Sequence, residues 1–178
     1  MLLSLDAMHE RHRALTPPIA SYYQEAAAVC LSRHHTSPVQ VTLSDNGHES
    51  SAEINWTAPD ARILAAWANT TDTTEKAAYG CVIAGVEQLR GLVAVRQAQI
   101  GTGADYYIGL PGAGIEDLED CLRLEVSGVD AGDHREVTKR LLVKIEQLKA
   151  GNSNLPALAG VIGFSARLLL LRDVEEAQ

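Results

Sequence analysis

Aromatic side chains make up only 4% of this chain, and Phe164 is its one phenylalanine. Proteins that hold single strands of nucleic acid by stacking their bases need exposed aromatic rings, so the composition argues against a stacking platform. Positive charge is also scarce. Lys and Arg number 15 against 23 Asp and Glu, a net charge of -8. Binding to DNA depends on neutralising phosphates, so nucleic-acid contact here requires a local site or a partner. Cysteine is limited to Cys30, Cys81 and Cys121, an odd number with wide spacing and no C-x-x-C pair. That excludes a zinc knuckle and a disulfide framework. Cys81 and Cys121 lie in apolar runs and read as small core residues. The longest apolar run, at 168–171, is far too short to cross a bilayer. Met1-Leu2-Leu3-Ser4-Leu5-Asp6 meets a charge at once and lacks the apolar core of a signal peptide. The expectation is a cytoplasmic protein with reduced thiols and no membrane contact.

What is present supports a folded core. Hydrophobic residues are 46% of the 178, which argues against disorder and suits one compact domain. Thr16-Pro17-Pro18 predicts a helix start, with helix over 19–32. Residues 39–43 alternate with period two and read as a strand, Asn46-Gly47 as a hairpin turn, and 52–56 as the return strand. Pro59-Asp60 opens a short helix reaching Trp67. A polar joint at 69–74 divides an N-terminal helix-and-hairpin extension, 1–70, from a regular region at 74–172, with a tail at 173–178.

The regular region begins with a helix over 74–90, stopped by Gly91. Strand-like runs follow at 92–100, 104–109 and 121–127. Next come an amphipathic helix over 133–150, whose stripe is Val137, Leu141, Ile145 and Leu148, and one or two strands over 159–172. The expected architecture is α+β or α/β: a mixed sheet of about four strands flanked by helices.

Two carboxylates fall on adjacent strand runs in this region. Asp105 opens the second run and Glu125 lies in the third. Residues two apart on a strand share a face, so Arg123, Glu125 and Ser127 face one way, lining a cleft or meeting solvent. Leu122, Leu124 and Val126 face the core. If the strands pair with these faces aligned, the carboxylates can share a divalent cation, which removes their mutual repulsion and polarises a water or a phosphate. Other roles suit the same residues. Asp105 after Gly103-Ala104 suits a turn cap, and Glu125 suits an ion pair with Arg123 or Arg96.

Helix, three strands, helix, strand, with Asp on the second strand and Glu on the third, resembles the core of the PD-(D/E)XK nuclease superfamily over roughly 74–172. The resemblance implies a restriction-endonuclease-like αβββαβ core in which Asp105 and Glu125 bind Mg2+ or Mn2+. It also implies phosphodiester cleavage in nucleic acid, with Glu75 or Glu87 as a helix-borne acid. The chain departs from the pattern at Ser127, where the superfamily carries lysine two residues after the glutamate. Some members carry that lysine on the following helix, which points to Lys144, beside the apolar stripe, with Lys139 as the alternative. Lys144 also suits a plainer role, its stem covering the stripe and its ammonium reaching water.

Other motifs carry less. Arg33-His34-His35 offers at most one loop ligand, since adjacent side chains diverge. Gly101-Thr102-Gly103 lacks the Lys-Ser/Thr ending of a phosphate loop. The glycines at 109–114 suit a flexible connection, and Ser127 has no His-Asp partner at a recognisable spacing. Glu116, Asp117, Glu119 and Asp120 form an acidic run that would repel DNA. Two function classes stay open. One is a metal-dependent nuclease with Asp105, Glu125 and Lys144 at its centre. The other is a non-catalytic relative that works through a protein partner or self-association.

Overall fold

The computed structural model of the chain describes residues 1–151 and 153–174. Its elements are α1 (Met8–Arg11), α2 (Pro17–Ser32), β1 (Val39–Asp45), β2 (His48–Ile54), α3 (Ala61–Ala66), α4 (Thr70–Arg90) and β3 (Val93–Gln97). They continue with β4 (Tyr106–Gly109), β5 (Leu122–Val129), α5 (His134–Ala150), β6 (Ala157–Gly163) and β7 (Leu168–Val174). Among the described residues, all the strands belong to one seven-stranded mixed sheet in the order β2-β1-β7-β6-β5-β4-β3. The pairs β5/β6 and β1/β7 are parallel and the rest antiparallel. The protein is therefore α+β, a mixed sheet flanked by helices.

The sheet is larger than the four strands expected because the last run forms two strands, β6 and β7, and because the N-terminal hairpin adds β1 and β2. β1 pairs with β7, setting Thr42 against Leu168 and Asp45 against Leu171. Asn46 at φ 50° and Gly47 at φ 88° make the hairpin turn, a conformation that asparagine and glycine adopt at low cost. The return strand starts at His48, four residues before the alternation suggests, because exposed Glu49 and Ser51 give no apolar signal. Asp173 and Val174, read as the start of a tail, are the last residues of β7, and 175–178 lie outside the described residues.

The polar joint at 69–74 is the first turn of α4. Asn69 caps the helix by accepting the Asp72 N–H, which places a start signal where a linker was expected. At the far end Gly91 takes the left-handed conformation at φ 66° and stops it. α5 begins with a capping box in which Asp133 and Glu136 satisfy each other's backbone N–H groups.

α4 and α5 cover opposite faces of the sheet. Gly160 on β6 faces Val82 of α4, and Gly163, three residues on, faces Val137 of α5. α2 runs along α4, its Ala26, Ala27 and Ala28 buried. Among the described residues, no helix is long and apolar enough to cross a membrane.

The approach of α4 to β5 is close because Gly128 has no side chain. A Cβ there would stand 2.9 Å from the Thr74 backbone oxygen and 3.1 Å from the Ala78 Cβ. Gly128→Ala should therefore push back the first turns of α4 and destabilise the fold by about 1–3 kcal/mol, the usual cost of overpacking. Urea unfolding measures it, and a variant as stable as the parent would show that α4 is not held this tightly.

Candidate active-site cleft

A cleft of about 620 Å³ opens between the first half of α4 and the middle of α5, beside the end of β5. Thr70, Thr71, Thr74, Glu75 and Tyr79 of α4 line one side. Arg140 and Lys144 of α5 line the other, and Asp105 and residues 126–131 form the floor.

Strand register brings the two carboxylates together. β4 and β5 pair antiparallel with Tyr106 opposite Leu124, and the same register continued by one residue sets Asp105 opposite Glu125. The Asp105 N–H donates to the Leu124 carbonyl at 2.8 Å. The Asp105 side chain does not cap its own turn. Its Oδ2 accepts the Val126 N–H at 2.7 Å, and its Oδ1 accepts the Tyr79 hydroxyl at 3.0 Å. Burial first, then the Asp105 charge, raises the Tyr79 hydroxyl far above its ordinary pKa, so Tyr79 remains a donor.

Glu125 stands just behind the cleft wall and is 8% exposed. Its partner is neither Arg123 nor Arg96. Lys144 Nζ donates to Glu125 Oε1 at 2.7 Å. The polar face of β5 is thus not open to solvent, because α5 lies over it. Arg123 is buried as well and donates to three carbonyls: Leu155 at 3.0 Å, Thr102 at 3.0 Å and Leu148 at 3.3 Å. Arg96 instead reaches the Ile115 carbonyl. The Lys144 ammonium does not snorkel to water; its side chain is 17% exposed and its charge is spent on Glu125. Lys139 is exposed on the outer side of α5, next to Leu142, and does not line the cleft.

Of the two helix-borne acids, Glu75 lines the cleft. Glu87 does not. It binds Arg11 Nε at 2.8 Å and buried His12 at 3.1 Å. His12 Nδ1 accepts the Ala94 N–H, so Nε2 carries the hydrogen that reaches Glu87.

Some residues of the cleft escaped the sequence. Tyr79 sits four residues after Glu75 and so shares its helix face, which was a usable signal. Asp130 and Arg140 gave none. The histidine pair also behaves differently from the expectation. Arg33 and His34 converge on one Asp130 oxygen at 3.3 and 3.2 Å, while His35 donates to the Phe164 carbonyl at 2.9 Å. They converge because Arg33 closes α2 and the chain turns immediately afterwards.

Two neighbouring carboxylates suit magnesium, which keeps several waters and needs only one or two such ligands. No group of three His, Cys, Asp or Glu side chains among the described residues is arranged to hold a metal ion. Any cation here would therefore complete its shell with water, backbone or a bound phosphate. No family model matches the chain, and neither any curated protein nor any solved structure matches it.

Burial first, and the Asp105 carboxylate second, push Glu125 from its ordinary 4.5 up to about 7, against the pull of Lys144. The folded chain thus holds this proton more tightly than the unfolded chain. Stability should fall as pH rises from 4.5 toward 7, by up to about 3 kcal/mol. Glu125→Gln removes the titration, so urea unfolding at about pH 5 and pH 7.5 should move the difference between the two proteins toward the variant as pH rises. A difference independent of pH would refute the buried, proton-holding Glu125.

Proposed function

We propose that this chain is a metal-dependent nuclease of the PD-(D/E)XK kind, with Asp105 and Glu125 as ligands for magnesium or manganese. The observation that carries the reading is the meeting of Asp105, just before β4, with Glu125 of β5 and Lys144 of α5, Asp105 and Lys144 lining the cleft and Glu125 standing just behind its wall. The element order α4-β3-β4-β5-α5-β6, with β5 and β6 parallel, supports it. So does the inward course of Lys144, which brings an ammonium to the site despite Ser127.

In this reading the cation supplies Lewis acidity toward a phosphate oxygen or a water. The protein's own groups do the rest. Val126 N–H and the Tyr79 hydroxyl fix the Asp105 carboxylate in one orientation. Glu125 and Lys144 hold each other until a ligand competes for the carboxylate. Lys144 then faces the phosphate and stabilises the charge that develops there. Arg140 at the rim adds a second positive charge for the strand.

Magnesium or manganese titrated calorimetrically into the chain should bind, and both Asp105→Ala and Glu125→Ala should abolish the heat. Absence of binding at millimolar metal by the folded wild type rejects a preformed two-carboxylate site. For turnover, Lys144→Met should reduce nucleic-acid cleavage by about 100-fold or more, while Lys149→Met, on the exposed side of α5, leaves it unchanged. Equal activity in the two variants removes Lys144 from the reaction.

A second reading has its own observation. Leu142 and Val143 of α5 stand 58% and 47% exposed, side by side, and a pair of large apolar residues on a helix suits a protein contact. With the net charge of -8, this favours an interaction or regulatory subunit in which the cleft is not catalytic.

A further inference from the structure

A second pocket, of about 610 Å³, lies where α2 runs into β1, under the turn between β6 and β7. Its lining includes Arg33, His34, His35, Thr36 and Arg167, and no carboxylate. In a chain of net charge -8, that concentration of cationic and imidazole groups stands out from the rest of the surface.

The groups are held in place. Arg33 is braced by Asp130 Oδ1 at 3.3 Å and by the Trp67 carbonyl at 3.5 Å. His34 leans on the same Asp130 oxygen, and His35 is fixed by the Phe164 carbonyl. Arg167 differs from these. Its backbone adopts the left-handed conformation, φ 54°, although it is not glycine. It is pinned there by its own N–H donating to Phe164 O at 3.3 Å and by its carbonyl accepting from Thr42 at 2.9 Å. Its side chain is exposed and, among the described residues, has no ion-pair partner. Glycine would satisfy this turn at lower cost. An arginine kept in a costly conformation, with its guanidinium unspent, is what a ligand contact would require.

We propose that this pocket binds a phosphate group, with Arg167 as its principal charged contact. Guanidinium presents paired N–H donors that match phosphate oxygens, and such charge-assisted bonds are the strong ones. Asp130 joins the pocket to the cleft described above. Asp130 lines that cleft, and its Oδ1 takes the hydrogen bonds of Arg33 and His34. A strand lying in the cleft would thus set a neighbouring phosphodiester into this pocket. That assignment to a nucleic-acid strand rests on the nuclease reading; the phosphate site itself does not.

The test uses the full chain in EDTA, so that cleavage and metal binding play no part. Inorganic phosphate and a short single-stranded DNA oligonucleotide are titrated separately against the 15N-labelled protein, with the His34, His35 and Arg167 resonances followed. The decisive variant is Arg167→Gly, which removes the guanidinium while easing the backbone. It should melt no lower than the wild type and bind phosphate about 10-fold more weakly, as expected for one lost charge-assisted contact. Phosphate that fails to shift these resonances at tens of millimolar, or binds wild type and Arg167→Gly equally, overturns the site. Arg167-dependent binding of the oligonucleotide supports the strand assignment. Arg167-dependent binding of phosphate but not of the oligonucleotide keeps the site and overturns the strand. Loss of cleavage elsewhere in the protein changes none of these outcomes.

Discussion

α5 lies across two buried charges of β5, and the position of the whole cleft depends on how it is fastened to them. Arg123 and Glu125 are two residues apart on the strand, a separation of about 6.6 Å. Their partners on the helix, the Leu148 carbonyl and the Lys144 ammonium, are four residues apart, about 6 Å along its axis. The two spacings match, and the helix runs opposite to the strand, so both fastenings close at once. Neither charge pairs with the other. Arg123 is satisfied by carbonyls near the end of α5 and in two loops, where the helix dipole favours a cation. Losing the carbonyls would leave the Arg123 charge buried without compensation, among the costlier defects a fold can carry, whereas losing Lys144 would leave Glu125 to keep its proton.

On the other face of the sheet the constraint is steric. Gly128 and Gly160 let α4 lie against β5 and β6 at a distance that any side chain would prevent. That contact carries Glu75 and Tyr79 to the cleft from the opposite side. The cleft is therefore bounded by one helix held by charge and another held by shape. Its central carboxylate, Asp105, is oriented by a hydrogen bond from each side: a strand amide and a helix hydroxyl.

The sequence made the local elements legible where a short-range signal exists. Period-two alternation marked β1 and β5, the apolar stripe marked α5, and Gly91 marked the end of α4. The alternation rule also paired Glu125 with Arg123 on one face of β5, which holds. It did not reveal that this face is buried, because burial of a polar face depends on a helix arriving from later in the chain. Asn69 read as a joint because a cap and a linker use the same polar residues. Lys144 was legible as inward-pointing from its helical position, but its partner was not, since the choice among Arg123, Arg96 and Lys144 is decided by tertiary geometry. Tyr79 and Asp130 are of the same kind. Each matters through a neighbour far away in sequence.

The pairing of β1 with β7 joins partners separated by most of the chain. During synthesis the hairpin of β1 and β2 emerges long before the strand it will dock against. Until β7 arrives, one edge of that hairpin offers unpaired backbone groups to any other extended segment, including that of a neighbouring nascent chain. Contacts of such long sequence separation also slow folding, because the intervening loop must be closed before they repay its entropy. β7 is thus the strand that joins the hairpin to the rest of the sheet, and the interval before it forms is when this protein is most exposed to misassociation.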